Sequence, residues 1–128
     1  MIKTYRVMLL PNKEQENKFF QFAGSARFAF NWALSIEQEN YKNGGKFLSD
    51  EALRKKFTEL KKNPDKQWLY KISNNVTKQA IKDAVEAYQN FFRKLGGYPR
   101  FKSKHKNRPS FYQDTEKIKF SETHVKLE

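Results

Sequence analysis

Ile2–Leu10 reads as a β-strand, and nothing strand-like follows it until Ser110. Ile2, Thr4, Arg6, Met8 and Leu10 fall on one face, and Lys3, Tyr5, Val7 and Leu9 on the other. Pro11 ends the strand, since proline cannot donate to a sheet ladder. A strand without neighbours leaves its backbone N–H and C=O groups unpaired. Partners are on offer only near the C-terminus, where Ser110–Gln113, Lys117–Phe120 and His124–Leu127 read as short strands. The first strand is therefore expected to share a sheet with them, and all that lies between becomes an insertion.

That insertion has helical periodicity. Asn12 with Gln15 three residues later spells a capping box, so a helix is expected to start there and to break at Gly24-Ser25. A second helix runs from about Ser25 to Tyr41 and stops at Asn43-Gly44-Gly45, where glycine permits a left-handed cap. Ser49 or Asp50 caps a third, which reaches about Lys62 with Leu53, Phe57 and Leu60 on one face and closes at Asn63-Pro64-Asp65. A fourth begins at Ser73 and extends to Leu95 before Gly96-Gly97. Its wide apolar stripe, from Ala80 and Ile81 to Phe91 and Phe92, suits a central helix. The expected class is α+β. About four helices are inserted between an N-terminal strand and the C-terminal strands of a partial, open β-barrel. Residues 1–10 plus 98–128 form the β part, and residues 11–97 the helical part.

Charge narrows the partner. The 128 residues carry 26 Lys+Arg against 14 Asp+Glu, a net charge of +12. Seven of those cations (Arg93, Lys94, Arg100, Lys102, Lys104, Lys106 and Arg108) lie within sixteen residues that contain no acid. Such a run is the footprint of phosphate binding, and the interleaved Tyr98 and Phe101 add faces on which bases can stack. Its competing reading is a solvated, mobile loop kept soluble by charge. Twenty aromatic residues exclude a disordered composition, and the absence of cysteine excludes disulfides, Cys-ligated zinc, iron–sulfur clusters and a thiol nucleophile. No apolar run approaches a membrane span, so a soluble, cytoplasmic protein with a polyanionic partner is expected.

No catalytic constellation stands out. His105 and His124 have no acid at metal-site spacing, and Asp83 with Glu86 reads as a surface ion-pair face beside Lys78 and Lys82. Neither a metal site nor a cofactor is expected.

Five segments together resemble a known family. Tyr5-Arg6-Val7-Met8-Leu9-Leu10-Pro11-Asn12-Lys13-Glu14-Gln15 looks like the opening of the TnpB/OrfB insertion-sequence proteins. Gly24-Ser25-Ala26-Arg27-Phe28-Ala29-Phe30-Asn31-Trp32-Ala33-Leu34 is similar to the segment that follows there. Trp68-Leu69, Ala87-Tyr88-Gln89-Asn90-Phe91-Phe92-Arg93 and Tyr98-Pro99-Arg100-Phe101-Lys102-Ser103-Lys104 continue the match in the same order. The family comprises transposon-encoded, RNA-guided DNA nucleases related to the type V CRISPR effectors. The resemblance covers the first third of its full-length members, including the region called the OrfB helix-turn-helix. It implies a wedge β-barrel interrupted by helices that hold guide RNA scaffold and target DNA.

The family's catalytic carboxylates and Cys-based zinc ribbon lie further on and have no counterpart here, so no nuclease role passes to any residue of this chain. By resemblance, Asp50, Asn74 and Lys78 lie where the family reads a short DNA motif. Asp50 is the poorer candidate of the three, since it reads better as a cap of the third helix. Arg27 and Asn31, one turn apart, are expected either to touch RNA or to satisfy polar groups between helices. The candidate binding residues are thus Arg27, Asn74, Lys78, Arg93, Lys94, Arg100, Phe101, Lys102, Lys104, Lys106 and Arg108. Three other readings stay open: a fragment of a complete RNA-guided endonuclease with a C-terminal nuclease domain, a decayed transposon remnant, and a stand-alone DNA-binding regulator.

Overall fold

The computed structural model describes residues 2–113, 118–121 and 123–127. The fold is mostly helical: α1 (Lys13–Lys42), α2 (Asp50–Lys61), a 3₁₀ helix (Pro64–Lys71) and α3 (Asn74–Phe92). These precede a two-stranded antiparallel hairpin, β1 (Lys119–Phe120) and β2 (Val125–Lys126).

The helix starts follow the expected chemistry. The Gln15 N–H donates to Asn12 Oδ1 and the Asn12 N–H to Gln15 Oε1, both at 2.9 Å, completing the capping box. Ser49 caps α2 through the Ala52 N–H, so Asp50 stands just inside the helix, where it pairs with Arg54 at 3.3 Å. Ser73 caps α3.

α1 does not break at Gly24-Ser25. A mid-helix glycine costs about 1 kcal/mol, but Ala23, Ser25, Ala29, Phe30, Ala33 and Leu34 on either side of that point are all buried in one helix. Packing along that shared face outweighs the local preference. The Ser25 hydroxyl donates to the Gln21 carbonyl at 2.8 Å, which satisfies it inside the helix.

α1 and α3 form the principal packing pair. Ala29, Ala33, Ala80 and Ala84 let the backbones approach, while Leu34, Leu53, Leu69, Ile81 and Tyr88 fill the core. Each fully buried apolar side chain contributes about 1.5–3 kcal/mol. Glu37 is an exception in this core: one carboxylate oxygen accepts from the Leu48 N–H at 3.0 Å, and burial pushes its pKa up.

Both long helices end alike. After α1, Gly44 takes φ +74° while the Gly44 and Gly45 N–H groups reach back to Tyr41 and Asn40. After α3, Lys94 takes φ +61°, with Lys94 and Leu95 reaching back to Phe91 and Asn90. α3 therefore stops short of the Leu95 expected from the glycine pair, and a lysine occupies the left-handed position that glycine usually fills. Lys94→Gly is expected to stabilise the fold by about 0.5–1 kcal/mol, because left-handed geometry costs a side-chain-bearing residue roughly 1–2 kcal/mol. Urea denaturation measures it.

The N-terminal strand is a correction. Residues 2–10 join no ladder among the described residues, and the sheet there consists of β1 and β2 alone. Their apolar side chains lie on both faces, so a stable strand there needs cover on both sides. Val7–Leu10 instead line one wall of a groove of about 910 Å³, facing Phe19 and Phe22 of α1 and residues 123–127. Met8 and Leu10 remain 87% and 89% exposed. Residues 7–10 and 123–127 thus share a groove but no sheet. Ser110–Gln113 forms no strand, and the expected strand start at Lys117 lies outside the described residues.

Candidate nucleic-acid interface

The basic run between α3 and the hairpin is fastened down at three places. At its start, the Tyr98 hydroxyl lies 2.8 Å from that of Tyr88, and Pro99 is buried. In its middle, Asn31 of α1 grips both backbone groups of one residue, Lys102. Its Nδ2 donates to the Lys102 carbonyl at 2.9 Å, and its Oδ1 accepts from the Lys102 N–H at 2.7 Å. Beyond its end, the Phe111 ring sits against Phe19 and Phe22 of α1, with centroids 6.0 and 5.3 Å away. A turn at 103–107 is tied by the Asn107 side chain to the Ser103 N–H at 2.7 Å. The run is a docked strap rather than a loose loop.

Fastening fixes where the charges point. Arg93, Lys94, Arg100, Lys104, Lys106 and Arg108 are exposed, as is Phe101. None of these cations forms an ion pair among the described residues. Lys102 is different: it is half-buried, and its ammonium lies 4.3 Å from the Phe30 ring centroid, a cation–π contact. Arg27 of α1 is half-buried and shares a cleft with Lys102 and Arg108.

Asn74 and Lys78 lie apart from the strap. Both are exposed at the start of α3, one turn from each other, whereas Val76, Gln79 and Asp83 on another face of that helix border the strap. The Asn74 Oδ1 accepts from Lys61 Nζ at 2.6 Å. That ammonium is buried between the Phe57 and Tyr70 rings, and burial lowers its pKa. Asn74 thus shares its acceptor with a core lysine.

Sequence reasoning left the role of Asn31 open; the structure gives it to the strap backbone. Phe111 was missed, because its signal depends on rings some ninety residues earlier. Asn31→Ala is expected to cost about 1–3 kcal/mol by leaving the part-buried Lys102 N–H and C=O unpaired. Urea denaturation, together with faster hydrogen exchange of the Lys102 amide, checks this.

Among the described residues, no group of three His, Asp or Glu side chains is placed to hold a metal ion, and no helix is long and apolar enough to cross a membrane.

Comparison with known proteins adds a family. Residues 1–46 match the helix-turn-helix domain of the OrfB type. Here those residues form the N-terminal segment, one uninterrupted helix and the turn after it. InsQ of Escherichia coli K12, described as an RNA-guided DNA endonuclease, is 35% identical over 106 residues, covering 83% of this chain and 26% of that protein. A Streptomyces pristinaespiralis protein of the same description is 28% identical over 108 residues, covering 84% of this chain and 27% of its own length. The chain thus spans about a quarter of the relatives it matches. By this helix-turn-helix domain and by similarity along most of its length, the chain resembles part of the TnpB/OrfB-type RNA-guided endonucleases.

Proposed function

We propose that this chain is the nucleic-acid-binding N-terminal portion of a TnpB-like, transposon-encoded protein. In this reading it holds guide RNA scaffold and target DNA and has no nuclease activity of its own. Residues 11–97 act as the recognition-like helical part. Residues 1–10 with 98–128 act as the wedge-like β part, which becomes an open barrel once residues 2–10 pair as a strand. The observation that carries the reading is the strap: exposed cations without acidic partners among the described residues, on a backbone fixed to α1. Fixed cations release the counterions of several phosphates together, which is what a polyanion rewards. Arg27 and Phe101 supply a further cation and a stacking face beside it. Asn74 and Lys78, on their separate face, are proposed to read a base edge or phosphate of the DNA motif. Association with the nucleoid follows from such binding.

A second reading, a piece of a complete RNA-guided endonuclease, draws support from the quarter-length coverage of the relatives. A continuing reading frame with nuclease carboxylates and Cys pairs would favour it.

Affinity for RNA and for duplex DNA, measured across salt concentrations, tests the proposal. Log affinity is expected to fall linearly with log salt, by roughly 0.9 per phosphate contacted on a duplex and roughly 0.7 on a single strand. RNA recovered with the purified chain identifies the scaffold. Binding that is absent, or indifferent to salt, overturns the reading.

A further inference from the structure

We propose that the cleft enclosed by the strap, α1 and α3 holds one unstacked nucleotide of the strand that the strap binds. This rests on the nucleic-acid reading and deepens it.

Size is the first argument. The cleft measures about 230 Å³. A dry cavity of roughly 150 Å³ accepts benzene, and drug-sized ligands occupy roughly 300–1,000 Å³. A single base with part of its sugar falls between those limits.

The walls supply the second. Ala23 and Ala80 are buried there beside Ala26 and Val76, a smooth apolar floor of small side chains against which a flat ring can lie. Gln79 Nε2 donates to Asp83 Oδ1 at 2.9 Å, which holds the amide in one orientation. Its carbonyl oxygen has no other hydrogen bond among the described residues, and neither does its second N–H. The pair therefore presents a fixed donor and acceptor to the edge of a base, the pattern by which unstacked bases are read.

Charge is the third. Arg27, Lys102 and Arg108 surround the opening against one carboxylate among the described residues, Asp83, so the mouth favours a phosphate while the floor favours a ring. Asn31 keeps this geometry in place, because it pins Lys102 at the cleft wall. Because the mouth is continuous with the exposed cations of the strap, a strand following those cations can turn one base inward without leaving them.

The test separates this inference from the broader reading by leaving the charges untouched. Ala26→Phe fills the cleft, and Gln79→Leu removes the base-edge contacts with little change of volume. A single-stranded RNA oligonucleotide carrying one 2-aminopurine, scanned along its length, is the probe. On the native chain its fluorescence is expected to rise at one position per bound site. In both variants the rise should vanish and affinity should fall roughly 5- to 150-fold, the range for losing one stacked base. Their salt slope should stay unchanged. Circular dichroism verifies folding, and Gln79→Leu decides the matter if Ala26→Phe unfolds. Native affinity and fluorescence in a folded Gln79→Leu variant overturn the proposal while the strap reading stands. Adenosine monophosphate binding that the variants abolish, without any fluorescent position in the strand, also overturns it, in favour of a free-nucleotide site. Failure of the native chain to bind the oligonucleotide at all sinks both.

Discussion

Replacing Arg100, Lys104, Lys106 and Arg108 together with glutamine is expected to lower the slope of log affinity against log salt by roughly three to four units on duplex DNA. Each phosphate contact contributes about 0.9 to that slope, and these four cations are exposed and free of ion pairs among the described residues. Lys102 is left in place because its ammonium is committed to Phe30. The loss should be nearly uniform across sequences, since phosphate contacts position without specifying. Changing Asn74 and Lys78 should instead shift preference between DNA motifs, at about 1–3 kcal/mol per lost base contact. Titrations at several salt concentrations measure both. An unaltered slope in the four-glutamine variant would mean that the strap binds no phosphate.

The largest expected loss of stability comes from Tyr88→Ala. Tyr88 is 1% exposed, and its ring lies 5.7 Å from those of Tyr98 and Phe92 and 6.5 Å from those of Phe47 and Phe91. Removing a buried aromatic side chain costs about 3–5 kcal/mol, a large share of the roughly 5–15 kcal/mol that holds a domain together. Burial, and then the bond to Tyr98, push the phenol pKa well above its ordinary value, so the hydroxyl stays protonated. Tyr88→Phe keeps the ring and loses only that bond, at about 0.5–1.5 kcal/mol. Urea denaturation followed by circular dichroism distinguishes the two. Equal losses would show that the hydroxyl pair, rather than the ring, anchors the strap.

Local chemistry was legible in the sequence. Asn12 and Gln15, Ser49, Ser73 and Gly44 act within a few residues of themselves, so spacing alone marks them. What stayed hidden was decided by distant partners. Gly24 looked like a break because nothing nearby says that the helix on both sides of it faces one core. The 3₁₀ helix at Pro64–Lys71 is held by Leu69, a single fully buried side chain, too little to leave a period. The terminal strand was read from its own residues alone, but a ladder needs a neighbour of sufficient length, and each hairpin strand here has two residues. For the interface, the cations were plain, whereas the residues that aim them were not. Asn31 and Phe111 gain their meaning only once the strap crosses α1.

That crossing has a kinetic side. The grip of Asn31 on Lys102 joins positions 71 residues apart, whereas the caps and helical turns close over three to five. Contacts so distant in the chain form after local ones, because the entropy of closing the loop comes due before any contact rewards it. The helices can therefore assemble while the basic segment still samples many conformations. Segments that dock last through a few contacts open with less than the global unfolding free energy. A polyanion that meets the chain at that stage finds the cations before their arrangement is set, and binding and docking become thermodynamically linked. Whatever occupies the strap then tightens the fold beneath it, just as a folded bundle sharpens the grip above.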